Sequence, residues 1–283
     1  MRSGRPLVLA ALILILSVSA AFARDSIVIA GSGDSQQLLR VLAEAFQNSH
    51  PGARVQVPDS IGSSGGIKAA ASGDCDLGRV ARPLREREKP LDLNYLPFAR
   101  SPVVFAANLD APCVNNLTEA QVNDIYAGRI GQWSELGACP QHKIYVANRE
   151  EGDSSRAVLE QQVAGFQEVA GSAGKVIYST PETVEVLSRY RFTLAYLPLS
   201  TIRGNTALRV FNYRGVAPEP EAVRSGDYPL VTPFGLVWQG RLEGPARQFV
   251  EFLFSSEAQQ IMERQGVVPL PQPGHLPGDD KSS

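Results

Sequence analysis

Three glycine- and serine-rich turns each come directly before a helical pattern in this sequence. The longest covers residues 60–68, and the other two cover residues 31–35 and 152–156. The first backbone N–H groups of a helix have no partner within it, and the helix dipole makes that end attractive to anions. One such turn is more often a plain helix cap. Three of them, with Arg149 just ahead of the third, favour a shared site for an oxyanion.

Apolar periodicity indicates the elements that must position these turns. A buried strand is predicted at residues 27–30 and an amphipathic helix at residues 38–46. A strand at residues 55–57, a helix from Lys68 and a strand at residues 75–78 follow. Alternating strands and helices are typical of an α/β fold with a parallel sheet.

Later segments continue the alternation. Two separate buried strands are predicted at residues 96–99 and 103–107, and a strand at residues 143–147 leads into the third turn. Helices are predicted near the C-terminus, and the proline-rich tail from Pro269 is expected to be frayed.

The first 23 residues have the features of a cleaved secretory signal peptide. Arg2 and Arg5 precede an apolar run at residues 6–21, and Ala21-Phe22-Ala23 is a small-x-small cleavage site. An uncleaved anchor is the alternative, but the run is short for a membrane span. We therefore expect a periplasmic protein. Cleavage takes the formal net charge from −2 to −4, which disfavours a nucleic-acid binder.

An exported protein can form disulfides, and this chain has three cysteines. Cys113 and Cys139 each adjoin a proline, at the two ends of one segment. We predict that they are bridged and that Cys75 is free. No zinc-ligand spacing is present, so no metal site is expected.

Taken together, these motifs resemble those of the phosphate-binding periplasmic component of ABC-type phosphate importers, of the type II periplasmic-binding-protein class. The resemblance covers nearly all of the mature chain. The matching stretches, in order, are Gly31-Ser32-Gly33, residues 60–68, Asp76-Leu77-Gly78 with Arg82-Pro83-Leu84, residues 124–130 with 133–136, Arg149 with residues 152–156, Tyr228-Pro229-Leu230, and residues 255–259.

This resemblance implies an α/β protein with two lobes, each a sheet flanked by helices, joined by two crossing strands as a hinge. We expect lobe 1 to comprise residues 24–104 plus 229–283, and lobe 2 residues 105–228. The crossings are expected near residues 102–107 and 228–231.

The family also implies which residues hold the anion. Ser35 falls where the first loop has a ligating Thr, and Ser63 and Ser64 cover the ligating Ser of the second loop. Arg149 matches a ligating Arg, and Ser155 keeps the hydroxyl of the third loop. The predicted ligand-binding residues are Gly33, Asp34, Ser35, Ser63, Ser64, Gly65, Arg82, Arg149, Asp153, Ser154 and Ser155.

Two departures from the family pattern concern selectivity. Ala81 stands where well-known members carry an Asp that accepts the proton of hydrogen phosphate, and Arg82 follows it. Asp153 stands where the family usually has a ligating Ser. Our hypothesis is that Asp153 is the displaced proton acceptor, and Asp34 is a second acid that could restore phosphate selectivity. The alternative is that Asp153 only caps the following helix.

Several functions are compatible with this pattern, and one is favoured. We expect a monomer that captures inorganic phosphate or a related oxyanion and delivers it to an inner-membrane ABC permease. The alternatives are a ligand-sensing or regulatory module with the same fold, or a binder of another oxyanion. No Gly-x-Ser-x-Gly elbow, HExxH motif or Walker loop is present, so we expect no enzyme, and we expect neither a cofactor nor nucleic acid.

Overall fold

The computed structural model describes residues 26–109 and 113–279. The predicted signal peptide, residues 1–23, lies outside the described residues. The strands are β1 (Ser26–Gly31), β2 (Arg54–Gln56), β3 (Leu77–Val80), β4 (Leu93–Asn108), β5 (Asn116–Leu117), β6 (Tyr145–Arg149), β7 (Lys175–Ile177), β8 (Thr193–Pro198), β9 (Leu208–Val210), β10 (Asn212–Tyr213), β11 (Val231–Gln239) and β12 (Val268–Pro269).

The helices flank the sheet on both faces. They are α1 (Gln36–Ser49), α2 (Gly62–Ser72), α3 (Glu119–Tyr126), α4 (Ser154–Gln162), α5 (Phe166–Val169), α6 (Thr180–Arg189), α7 (Pro220–Ser225), α8 (Gly244–Phe252) and α9 (Ser256–Arg264). Short 3-10 helices cover Glu86–Leu91, Trp133–Leu136 and Leu199–Thr201. Within the described residues, no helix combines the length and apolarity that a membrane crossing needs.

One mixed sheet runs through the molecule in the order β2-β1-β3-β11-β4-β8-β6-β7. β1 pairs in parallel with β2 and β3, which is the arrangement expected from the first 80 residues. On the far side, β6 pairs in parallel with β7 and β8. The two antiparallel strands β11 and β4 lie between these parallel groups and join them.

The separate strands predicted at residues 96–99 and 103–107 are one continuous strand. β4 pairs with β11 as far as Pro102 and then with β8 from Val103 onward. Proline has no backbone N–H to give to a ladder. Pro102 therefore marks the point where the strand changes partners, and the sequence prediction of two strands was wrong.

The two largest apolar cores among the described residues lie on either side of this crossing. The first packs Phe46 against Phe249, with ring centroids 5.3 Å apart, and also contains the buried Trp238. The second is centred on Tyr126 and Tyr196, whose ring centroids are 5.5 Å apart. The predicted two-lobed α/β class is confirmed. The boundaries drawn above, residues 24–104 plus 229–283 and residues 105–228, remain a prediction.

Other sequence predictions are confirmed or corrected. Cys113 and Cys139 form the expected disulfide, with Cα atoms 4.8 Å apart, and Cys75 is free and buried. The prediction of a frayed tail was wrong for the described part, because Val268–Pro269 pairs with β4 and Leu276 is buried. Burial of Leu276 removes apolar surface from water, which stabilises the tail in this folded position.

Candidate functional site

The serine- and glycine-rich stretch forms the first turns of α2, which begins at Gly62, whereas the helix was expected only from Lys68. Gly66 accounts for part of the glycine content. A Cβ atom there would lie 2.8 Å from Gly31 Cα, so only glycine lets α2 pack this closely on β1. Gly65 faces Ile61, because a Cβ atom there would lie 3.0 Å from that side chain. These two glycines therefore serve helix packing.

Arg79 is a buried scaffold residue that the sequence did not identify. Its guanidinium donates to the carbonyls of Ser32 at 2.7 Å, Pro58 at 2.8 Å and Ile29. Its own carbonyl accepts from Ser32 N at 2.9 Å. Burial, followed by the nearby Arg40, lowers the pKa of Arg79 to about 10. Arg79 thus fixes the loop between β1 and α1 against the segment that leads into α2.

A polar cavity of about 250 Å³ lies between the lobes. Its lining includes seven of the eleven predicted site residues: Gly33, Asp34, Ser63, Ser64, Arg149, Asp153 and Ser154. Four predicted residues do not line it: Ser35, Gly65, Arg82 and Ser155. Six lining residues lie outside the three predicted turns and Arg149, and the sequence analysis did not identify them: Arg85, Arg87, Glu150, Glu151, Tyr178 and Thr180. Of these, Thr180 had a usable signal, because Ser179-Thr180-Pro181-Glu182 is a helix start with Pro in the first turn.

Arg149, at the end of β6, is the most highly connected cation of the cavity. Its side chain is buried and lies 2.6 Å from Asp153 Oδ2. It also donates to Thr180 Oγ1 at 3.0 Å and to the Ile177 carbonyl at 3.2 Å. The ion-pair partner of Arg149 is therefore Asp153. These bonds fix the guanidinium plane at the edge of the cavity.

Asp153 is the N-cap of α4. Its Oδ1 accepts from Arg156 N at 3.0 Å, while Oδ2 forms the ion pair with Arg149. Both carboxylate oxygens are thus engaged in holding the turn between β6 and α4. The helix-cap alternative describes what Asp153 does in this structure.

Asp34 reaches from the β1–α1 loop of lobe 1 to the helices of lobe 2. Its carboxylate accepts from Ser155 Oγ at 3.3 Å and from Thr180 Oγ1. Burial, followed by the charge of Asp153, raises the pKa of Asp34 to about 6, although Arg149 and the two hydroxyls oppose this shift. A carboxylate with this pKa can exchange a proton near neutral pH.

Further contacts cross the gap between the lobes at the cavity. Ser63 Oγ at the start of α2 lies 3.1 Å from Ser154 Oγ at the start of α4. Arg85 Nη2 donates to the Gly152 carbonyl at 3.2 Å. The N-terminal turns of α2, α4 and α6 therefore meet at one place, with Arg149 among them. Such a convergence suits a small oxyanion held by amides, hydroxyls and one guanidinium.

Arg82 and Ser35 were predicted as ligand-binding residues, but neither lines the cavity. Arg82 forms two 2.7 Å hydrogen bonds to the carboxylate of Glu88. Arg82 also donates to Ser64 Oγ at 2.9 Å, so it supports a lining residue from behind. Ser35 Oγ is buried and has no hydrogen-bond partner among the described residues. Neither side chain faces the cavity.

A larger cavity of about 750 Å³ lies elsewhere, around Tyr145 at the start of β6 and Lys175 in β7. Its lining residues do not include the three helix N-termini or Arg149. The smaller cavity is therefore the candidate functional site. In the described part of the chain, no cluster of His, Cys, Asp and Glu has the geometry of a metal site.

Known proteins share both the sequence pattern and this fold. The model of the PBP superfamily domain matches residues 17–257. The phosphate-binding protein PstS of Bacillus subtilis is 28% identical over 260 residues, which cover 88% of this chain and 82% of the relative.

Solved structures give the same result. A crystal structure described as a phosphate ABC transporter substrate-binding protein with bound phosphate, from Clostridium perfringens, is 26% identical with a TM-score of 0.77, over 87% of this chain and 99% of that chain. An ABC-type phosphate transport receptor from Vibrio cholerae is 25% identical with a TM-score of 0.63, over 87% of this chain and all of that chain. With a family model that spans most of its length, this chain belongs to the PBP superfamily.

Proposed function

We propose that this protein is an exported solute-binding protein that captures inorganic phosphate and delivers it to an ABC importer in the inner membrane. One observation carries the proposal: N-terminal helix turns from both lobes converge with Arg149 on a single polar cavity. Its volume of about 250 Å³ is below the range of about 300–1,000 Å³ typical of drug-sized ligands. A small tetrahedral anion is the ligand class that suits this size and donor set.

The donors that would hold the anion come from different lobes. Ser63 and Ser64 lie in the first turn of α2, and Ser154 lies in the first turn of α4 beside Arg149. An anion that bonds to both sets favours the closed arrangement over an open one. Ligand stabilises closure only because it binds the closed state better. Closure then gives the permease a signal that the protein is loaded.

The relatives support phosphate as the ligand. The Bacillus subtilis protein carries the name phosphate-binding protein, and the Clostridium perfringens structure holds bound phosphate. Both match this chain over most of its length. The descriptions of the Clostridium perfringens and Vibrio cholerae structures, a substrate-binding protein of an ABC transporter and an ABC-type transport receptor, also support an ABC transporter as partner.

Calorimetric titration of the phosphate-stripped mature chain with phosphate, and then with sulfate, tests the proposal. We expect tight binding of phosphate with little heat from sulfate. Heat from sulfate alone would assign the site to another oxyanion. Absence of heat from both would contradict capture of an oxyanion and would favour a regulatory module of the same fold.

A matched pair of variants links the binding to the cavity. Arg149→Lys keeps the charge but loses the planar fork, and we expect at least about tenfold weaker phosphate binding. Arg40→Lys is the control, because Arg40 pairs with the exposed Asp59 and lies outside the cavity lining. Equal affinities of the two variants would place the bound anion elsewhere.

A further inference from the structure

The position at which well-known family members carry a proton-accepting Asp supplies no carboxylate here. Ala81 is 1% exposed and does not line the cavity. Its backbone N–H donates to Ser63 Oγ at 3.1 Å, and its carbonyl accepts from Thr232 Oγ1 at 2.6 Å. A protonated ligand oxygen must therefore find its acceptor on another residue.

Four carboxylates line the cavity: Asp34, Glu150, Glu151 and Asp153. Glu151 is exposed and Glu150 is partly exposed, so their carboxylates can be hydrated and do not need a buried donor. One carboxylate oxygen of Asp153 accepts the capping hydrogen bond of α4, and the other forms the ion pair with Arg149. Asp34 is buried, with 2% exposure, and unlike Asp153 it has no ion pair among the described contacts.

The geometry around Asp34 leaves it able to accept one more hydrogen bond. Its two bonded partners are neutral hydroxyls, Ser155 Oγ and Thr180 Oγ1, one on each carboxylate oxygen. An ionised carboxylate has about four lone-pair positions, so two hydroxyl donors do not saturate it. Thr180 also accepts from Arg149, which fixes its hydroxyl proton toward Asp34. The carboxylate is thus held rigidly at the cavity wall.

A carboxylate in this place discriminates between oxyanions by their protons. Hydrogen phosphate has a P–O–H group that can donate to it, whereas sulfate at neutral pH has acceptor oxygens only. Two facing acceptors in a buried site repel each other and leave both unsatisfied. We propose that Asp34 is the specificity-determining residue that accepts the hydrogen bond of protonated phosphate and excludes sulfate. This inference depends on the proposed phosphate-binding function.

Calorimetric titration of three proteins with sodium phosphate and with sodium sulfate at pH 7.5 tests this role. The proteins are the wild-type chain, Asp34→Asn and Asp153→Asn. In Asp34→Asn an amide N–H group replaces an acceptor at nearly the same volume, so it can donate to sulfate. We expect the ratio of phosphate affinity to sulfate affinity to fall by tenfold or more in this variant.

Asp153→Asn is the matched control, because it removes one negative charge from the same cavity and can still cap α4. We expect it to change both affinities in the same direction while the ratio stays within about threefold of wild type. Thermal unfolding of each variant checks that it is folded, and arsenate, which keeps a proton as phosphate does, provides a second probe. In Asp34→Asn, arsenate binding is expected to weaken together with phosphate binding.

The outcomes separate the two levels of inference. A wild-type protein that binds neither anion contradicts the proposed function and this inference with it. Phosphate binding with an unchanged ratio in Asp34→Asn overturns the inference alone. A ratio that collapses only in Asp153→Asn assigns the acceptor to Asp153. A parallel rise of both affinities in Asp34→Asn shows that Asp34 acts only as a repelling charge, which also overturns the inference.

Discussion

Ser63 Oγ lies 3.1 Å from Ser154 Oγ, so the first turn of α2 in one lobe contacts the first turn of α4 in the other. Ser63 also accepts from the Ala81 backbone N–H, which fixes the hydroxyl on the lobe 1 side. The two serines lie 91 positions apart in the sequence. Their contact is one of the bonds that hold the lobes together around the cavity.

Removal of this contact is expected to weaken lobe closure. Ser63→Ala and Ser154→Ala should each lower phosphate affinity about fivefold, since one hydrogen bond contributes about 1 kcal/mol. The double variant should lose less than the sum of the single losses, because both act on one bond. Calorimetry measures this cycle. Ser72→Ala, at the far end of α2, is the control and should leave affinity unchanged; strictly additive losses would show that the two hydroxyls act independently.

Arg82 is expected to matter more for stability than for binding. The side chains of Arg82 and Glu88 are each 9% exposed, and their bidentate pair lies behind Ser64. Glu88→Ala leaves the Arg82 charge buried without its partner, which costs about 3–5 kcal/mol. Urea unfolding measures this loss in the free energy of unfolding.

A pair on the surface gives the control for that measurement. Lys89 and Glu86 are 62% and 87% exposed, so Lys89→Ala should cost less than about 1 kcal/mol. Phosphate affinity of folded Arg82→Met is expected to stay within about threefold of wild type. A loss of binding with unchanged stability would instead place Arg82 among the ligands.

Asp34 is expected to make the unliganded protein less stable as pH rises. Its pKa is raised from 3.8 to about 6 in the folded state, so between these values the folded state holds the proton more tightly than the unfolded chain. The stabilising contribution of Asp34 is therefore fully present below about pH 4 and is lost as the pH rises through about 6. The difference corresponds to about 3 kcal/mol at most.

The Asp34→Asn variant tests this linkage. Urea unfolding in phosphate-free buffer should show it to be more stable than wild type at pH 7.5, with the difference disappearing near pH 4. The charged groups that act on Asp34 are Asp153 and Arg149, and neither is changed in this variant. Asp59→Asn, at a side chain that is 95% exposed, is the control and should follow the wild-type curve. An Asp34→Asn protein with the same pH profile as wild type would contradict the assignment.

The disulfide between Cys113 and Cys139 is expected to stabilise lobe 2. It closes a segment with a sequence separation of 26 residues, which corresponds to about 3 kcal/mol in the loop-entropy model. The double variant Cys113→Ser/Cys139→Ser should lose about this free energy of unfolding. Thiol titration of the denatured, unreduced wild-type protein should find one thiol per chain, that of Cys75; three thiols would show that the bridge is absent.

The amino-acid sequence by itself was sufficient for the fold class and much of the site. Periodic apolar residues and three helix-start signals are local properties, and they predicted α1 and the turns that hold Ser63, Arg149 and Ser154. Thr118 and Gln121 form a capping box at the start of α3, which is a local signal of the same kind. The disulfide was also predictable, because an exported chain with three cysteines permits few pairings.

Only the tertiary structure decided which side chains meet. Asp34 lies 121 positions from Ser155 and 146 from Thr180, and no local pattern couples residues across such distances. The continuous strand β4 was likewise hidden, because its prolines resemble strand ends until the change of partner at Pro102 is seen. Local propensity determines the elements, whereas long-range pairing of strands and the burial of charges determine which carboxylate faces the cavity and which one caps a helix.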